Sequence, residues 1–204
     1  MPRQPTLVGL PVLIVVDIQK SAFMDHKAGI PVMPDYRDNI ARARGVVDAA
    51  HDAGIPVVFI QEIHRRDMVD YGRELDGTED IHCMEGEPGT PVASEEMGRQ
   101  PDDYFIHKRR YSAFYGTELE ILLKGFKAQT LILIGGLTDV CVHYTFADAH
   151  QGDYHCRVVG DCVGGSSTAA HEASLNAMEY LQTGAVLTAD QIVAELGELS
   201  AAAA

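Results

Sequence analysis

Short apolar runs alternate with amphipathic stretches along this whole chain, and that alternation leaves few folds open. Val12 to Val16, Val57 to Ile60, Tyr104 to His107, Leu131 to Ile134, His155 to Val159 and Ala185 to Leu187 have the length and residue types of buried strands. Between the first two, Ile40, Ala43, Val46, Val47 and Ala50 recur at helical spacing until Gly54 and Pro56 stop them. Thr117-Glu-Leu-Glu120 and Thr188-Ala-Asp-Gln191 read as capping boxes that open helices, and Ala169 to Gln182 reads as a helix closed by Gly184. Strands apolar on both sides need both sheet faces covered, and parallel neighbours need crossover helices. The expected fold is therefore α/β: a doubly wound, six-stranded, mostly parallel, Rossmann-like sheet with helices on both faces. At 204 residues the whole chain, 1–204, fits one domain able to bury roughly 70% of its unfolded surface. From about 62 to 103 the periodicity lapses into Gly, Glu, Asp, Pro and His, and a loop that long is expected to form a lid or wall of a site. Ala201 to Ala204 reads as a frayed tail.

Composition narrows the partners. Thirty acidic against sixteen basic residues give a net charge of −14, which argues against a nucleic acid or an anionic membrane, since both demand a basic face. The N-terminus carries no signal-peptide apolar region and no apolar run is long enough to span a bilayer, so a soluble, cytoplasmic location is expected. Cys83, Cys141, Cys156 and Cys162 form no CxxC pair, and a domain of this size needs no staples, so they read as reduced thiols.

In open α/β sheets ligands bind beyond the carboxyl ends of the strands, so the residues there are the ones to read. Asp17 follows the first strand, Lys108 the third and Cys141 the fourth. Taken singly, an Asp at a strand end is usually a cap, a Lys beside Arg109 and Arg110 a solvated charge, and a lone Cys a small core residue. Together they offer a nucleophile, a proton acceptor and an orienting cation. Gly135-Gly136 makes a tight turn after Leu131 to Ile134, and Thr138 or Asp139 is placed to cap a helix whose first turn holds Cys141. Thiol pKa values fall at such helix starts. Among the other cysteines, Cys162 also follows a strand but precedes its helix by several residues and reads as loop lining, Cys156 as core and Cys83 as a loop thiol. A nucleotide-binding module is disfavoured, because Asp17-Ile-Gln-Lys-Ser-Ala-Phe23 contains no glycine and Gly135-Gly136 does not fit GxGxxG.

Val15-Val-Asp17-Ile-Gln19 with Phe23, Lys108-Arg-Arg-Tyr-Ser-Ala-Phe114 and Gly135-Gly-Leu-Thr-Asp-Val-Cys141-Val resemble, in this order, the signature segments of the isochorismatase-like cysteine hydrolases. The resemblance runs from about Pro11 to Leu187. It implies a triad of Asp17, Lys108 and Cys141, and a cis peptide at Gly136-Leu137 that aims the amides of Leu137 and Cys141 at an oxyanion. It also implies a homo-oligomer, a dimer or tetramer, acting on a small-molecule substrate. Family members that cleave the vinyl ether of isochorismate need no nucleophilic thiol, so Cys141 favours amide hydrolysis. Nicotinamidases carry a metal-binding Asp-x-His with further His residues in the loop after the second strand. This chain has Glu62-Ile-His64 and His82-Cys83, so Glu62, His64 and His82 could bind zinc in principle. Because Glu replaces Asp and no His lies between His64 and His82, no metal or other cofactor is expected.

Tyr71-Gly-Arg-Glu-Leu-Asp-Gly77 and His82-Cys-Met-Glu-Gly-Glu-Pro-Gly89 look more like amidases of ureide-type substrates, the biuret, triuret and N-carbamoylsarcosine hydrolases. In those, a glutamine after the penultimate helix touches the substrate amide, and Gln182 matches it. Gln182 with Arg66 or Arg73 could then read the planar carbonyl and N–H groups of a ureide, and Phe23, Tyr111, Phe114 and Tyr144 could wall the pocket. The alternatives are a nicotinamidase-like amidase with a loop-bound metal, or a catalytically idle binding or sensor protein using Cys141 as a reversible thiol.

Overall fold

A computed structural model of the chain describes residues 6–24 and 29–203. Six strands form one sheet: β1 (Leu10–Val16), β2 (Val57–Glu62), β3 (Tyr104–Lys108), β4 (Ala128–Gly136), β5 (His155–Gly164) and β6 (Val186–Leu187). Their order is β3-β2-β1-β4-β5-β6, and every pairing is parallel. Helices α1 (Tyr36–Asp52), α2 (Leu119–Phe126), α3 (His143–Gln151), α4 (Thr168–Leu181) and α5 (Ala189–Ala203) form the covering layers.

The period of two along each strand divides the core. Leu13 and Val15 of β1, Phe59 of β2 and Ile132 and Ile134 of β4 face α1 and α5, where Ile40, Val47, Ile192 and Leu196 meet them. Val12, Ile14, Val16, Leu131 and Leu133 face the other way, onto Leu119 and Leu123 of α2, Phe146 of α3 and Met178 of α4. This two-sided burial is why the strands read as unbroken apolar runs rather than alternating ones. Among the described residues no helix is long and apolar enough to cross a membrane.

Three local expectations are corrected. β5 does not end at Val159: Leu133 pairs with Val158 but Gly135 pairs with Val163, so a bulge carries the strand on to Gly164 and buries Cys162 in the core as a strand residue. α2 begins at Leu119 without a capping box. Thr117 donates its hydroxyl to Ala113 O and accepts from Leu119 N, while Glu120 turns to Lys124. The box at Thr188 does form, with Thr188 N donating to Gln191 Oε1 and Gln191 N to Thr188 Oγ1. Finally, α5 continues through residue 203 in place of a frayed tail, and residue 204 lies outside the described residues.

The sheet's order reverses between β1 and β4; α1, which follows β1, packs on one face and α3, which follows β4, on the other. The carboxyl ends of these two strands therefore open a crevice, with β2 and β3 alongside.

Candidate active site

Asp17, Lys108, Cys141 and Glu62 meet in that crevice. Asp17 stands just past β1 at φ 50, fixed by its own N–H to Ile60 O and by Glu62 N–H donating to Oδ1 at 2.8 Å. Its other oxygen lies 2.8 Å from Lys108 Nζ. Lys108, the last residue of β3, is only 1% exposed, so it is not the solvated cation its Arg neighbours suggest. Nζ also donates to Glu62 Oε2, in a short contact, and to Cys141 Sγ at 3.3 Å. Cys141 Sγ lies 3.5 Å from the same Glu62 oxygen.

Burial is the largest influence on each of these groups. It pushes Asp17 up to about 6, against the pull of Lys108 and with some help from Glu62. It pushes the Cys141 thiol well above its usual range, with Lys108 opposing. The lowering expected from the helix start is therefore outweighed by burial, and the neutral thiol is favoured beside the Asp17 carboxylate. For Lys108 burial alone would favour the neutral amine, but Asp17, Cys141 and Glu62 outweigh it and keep the ammonium. Glu62 is likewise held ionised by Lys108, His64 and His82 against its own burial.

Cys141 sits in a π-helical turn, Thr138–Val142, that leads into α3. Neither expected cap residue caps it. Thr138 Oγ1 bonds His171 Nδ1 at 2.8 Å, and Asp139 accepts from Ser166 N at 2.8 Å and Ser166 Oγ at 2.5 Å, tying the turn to the start of α4. The Gly136-Leu137 peptide is cis. Gly135, at φ 121, admits no side chain, since a Cβ there would lie 1.9 Å from Val16 O.

A cavity of about 580 Å³ lies over these groups, bounded by Asp17, Glu62, Leu137 and Cys141, by Gly29 to Pro34 before α1, by Tyr36, and by Thr78, Glu79, Asp80, His82 and Cys83 of the long loop. Of the residues expected in its wall, Tyr111 is there. Tyr144 is not: it is half exposed and stacks behind Tyr111 at 5.7 Å between ring centroids. Phe23 packs on the core beneath α1, and Phe114 on the opposite core against Tyr154. Arg66 is exposed, and Arg73 points to solvent with Asp76. Gln182 ends α4 at the amino edge of the sheet, where its Oε1 accepts from Cys156 N at 3.0 Å. None of Phe23, Phe114, Tyr144, Arg66, Arg73 and Gln182 lines the cavity.

The sequence reading missed Glu62 as a partner of Lys108, although Glu62 ends β2 and the strand-end rule points to it. It also missed Cys83, whose Sγ donates to Gln19 Oε1 at the cavity wall, and Glu74. Glu74 joins Glu62, His64 and His82 in a buried cluster whose ligand atoms all lie within 4.8 Å of one another. His64 Nε2 is 3.1 Å from Glu74 Oε2, and His82 Nε2 is 3.0 Å from Glu62 Oε1. Both nitrogens of His64 and both oxygens of Glu74 are buried with at most ion-pair contacts in place of a formed hydrogen bond. Two imidazoles and two carboxylates at that spacing fit a divalent ion such as zinc. Burial disfavours the charged imidazole of His64, but Glu62 and Glu74 outweigh it and raise His64 to about 9.

The isochorismatase domain profile matches residues 11–191 of the chain. Among curated proteins, ureidoacrylate amidohydrolase RutB of Methylorubrum extorquens is 31% identical over 195 residues, covering 82% of this chain and 72% of RutB. The curated relatives vary in how much of their length is spanned, from 50% to 88%. Among solved structures, N-carbamoylsarcosine amidase of Thermoplasma acidophilum superposes with a TM-score of 0.71 at 28% identity, covering 88% of this chain and 95% of that one. Pyrazinamidase of Pyrococcus horikoshii in complex with zinc gives 0.75 at 25% identity, covering 88% and 99%.

Proposed function

Because the chain belongs to the isochorismatase family of hydrolases, we propose that it is a cysteine-dependent amidohydrolase cleaving the C–N bond of a small ureide, such as biuret, triuret or an N-carbamoyl compound. One observation carries the reading: the buried Lys108 Nζ lies 2.8 Å from Asp17 and 3.3 Å from the Sγ of Cys141, and Asp17 and Cys141 both line the cavity.

In this mechanism Asp17 takes the Cys141 proton as sulfur attacks the amide carbonyl, and the resulting oxyanion rests on the amides of Leu137 and Cys141. The C–N bond then breaks, Asp17 hands its proton to the departing nitrogen, and a thioester remains on Cys141. Asp17 next deprotonates a water that attacks the thioester, and the proton returns to sulfur as the acid product leaves. Lys108 keeps its proton throughout, holding Asp17 in place and balancing Asp17 and Glu62. Since Asp17 must be ionised to act and burial lifts it to about 6, kcat/KM should climb as pH rises through about 6. A pH–rate profile that stays flat down to the ordinary carboxylate range, near 4, would contradict Asp17 as the base.

A second reading rests on the Glu62, His64, Glu74 and His82 cluster, which would place the chain nearer the zinc-bearing pyrazinamidase. His64, Glu74 and His82 would hold the ion, with Glu62 Oε1 facing it. A bound divalent cation would act there as a Lewis acid on a substrate group. Glu62 Oε2 is committed to Lys108 in either case. Ammonia release across ureides, nicotinamide and pyrazinamide, with intact mass to detect an acyl adduct, separates the readings. Turnover of biuret-like compounds and not of nicotinamide is expected; the reverse preference overturns the ureide reading.

A further inference from the structure

Tyr36 opens α1, far in sequence from the other residues at the oxyanion corner, and the reading of the paired glycines as a simple turn does not account for it. Its ring lies on the carboxyl ends of β4 and β5. A Cβ on Gly136 would stand 2.6 Å from the Tyr36 hydroxyl oxygen, and one on Gly164 would stand 2.3 Å from ring carbon Cδ2. Gly136 and Gly164 face each other in the β4–β5 register. Neither adopts a positive φ, so the backbone does not require glycine at these two positions; the ring does. Two adjacent strand ends carry no side chain where one tyrosine packs against them. Its N–H donates to Met33 O at 3.1 Å, which fixes the helix start that carries it.

Tyr36 lines the cavity together with Asp17, Leu137 and Cys141. It stands over Gly136, the residue immediately before the amide of Leu137. Burial, with added repulsion from Asp17, Cys83 and Cys141, raises the phenol above its usual range, so it stays a neutral donor. We propose that Tyr36 is a catalytic residue whose phenolic O–H donates a third hydrogen bond to the substrate carbonyl oxygen as it becomes an oxyanion, beside the amides of Leu137 and Cys141. The assignment rests on the acyl-enzyme reading above. It also explains Gly136 and Gly164, which set the depth at which the hydroxyl enters the site.

The decisive variant is Tyr36→Phe, which keeps the ring on both glycines and removes only the hydroxyl. With a ureide that the wild type turns over, kcat and the rate of acyl-adduct formation on Cys141 should both fall on the order of 10²-fold, as for loss of one oxyanion donor. KM should change less than about threefold and the melting temperature should stay where it was, because a donor used mainly in the transition state adds little to ground-state binding. Acylation and kcat within about twofold of wild type would overturn the proposal and leave Tyr36 as a wall of the pocket. A rise in KM with kcat unchanged would overturn it too, by making the hydroxyl a substrate-binding group only. If the wild type itself forms no adduct on Cys141, the acyl-enzyme reading fails, a result distinct from either outcome for the variant.

Discussion

Replacing Lys108 by Met is expected to destabilise the fold by about 3–5 kcal/mol near neutral pH, the usual result of removing one partner from a buried charge cluster. Lys108 is 1% exposed, and its ammonium is the cation that Asp17 and Glu62 share. Methionine fills nearly the same volume, so the loss would come from two buried carboxylates left facing each other. The sign of the pH dependence follows. Without the ammonium both carboxylates lose the cation that opposes their burial, so their folded-state pKa values move up and protonation relieves the variant. Its deficit should be smallest at low pH and grow as pH rises through the shifted values. Urea denaturation of both proteins at mildly acidic and mildly alkaline pH checks this, and a deficit that shrinks with rising pH would refute the shared-cation account. Adding Glu62→Gln should restore part of the stability and none of the turnover, because one buried charge is removed while Asp17 still lacks its partner.

Cys141→Ala is expected to abolish turnover, by on the order of 10⁴-fold or more, while leaving the fold intact. The sulfur is buried at the cavity floor, but its contacts are with Lys108 and Glu62, which keep each other and Asp17 without it. The ion cluster should therefore survive, and the melting temperature should move only slightly. Intact mass after incubation with a ureide should show an adduct on the wild type and none on the variant. Appreciable turnover by the alanine variant would remove Cys141 from the mechanism.

The sheet was legible because six apolar runs and the helical spacing between them each follow from burial on both faces. Asp17, Lys108 and Cys141 were legible because strand ends in such a sheet converge. What lay outside the periodic segments was read less well. Gln182 shows why: a helix that leaves the carboxyl edge runs back along the sheet, so the end of α4 lands beside the start of β5, away from the crevice. Phe23 and Phe114 follow site residues in sequence, yet each turns into a core, where an aromatic ring gains more than at a polar wall. Glu74 and Cys83 reach their places through irregular chain and Tyr36 from the first residue of α1, and no local pattern announces a partner so far away along the sequence. The capping residues near Cys141 failed because better partners were available: Ser166 for Asp139 and His171 for Thr138.

Glu62 presents one oxygen to Lys108 and Cys141 and the other to His82. The long loop and the reactive centre thus share a single side chain, and neither is a cassette. Grafting a relative's loop onto this scaffold would change the charge seen by Cys141 even if Asp17, Lys108 and Cys141 were left untouched. Changing the surroundings of Cys141 would in turn perturb how the loop's imidazoles sit. Variants of the two regions should accordingly be selected together, as one unit of inheritance.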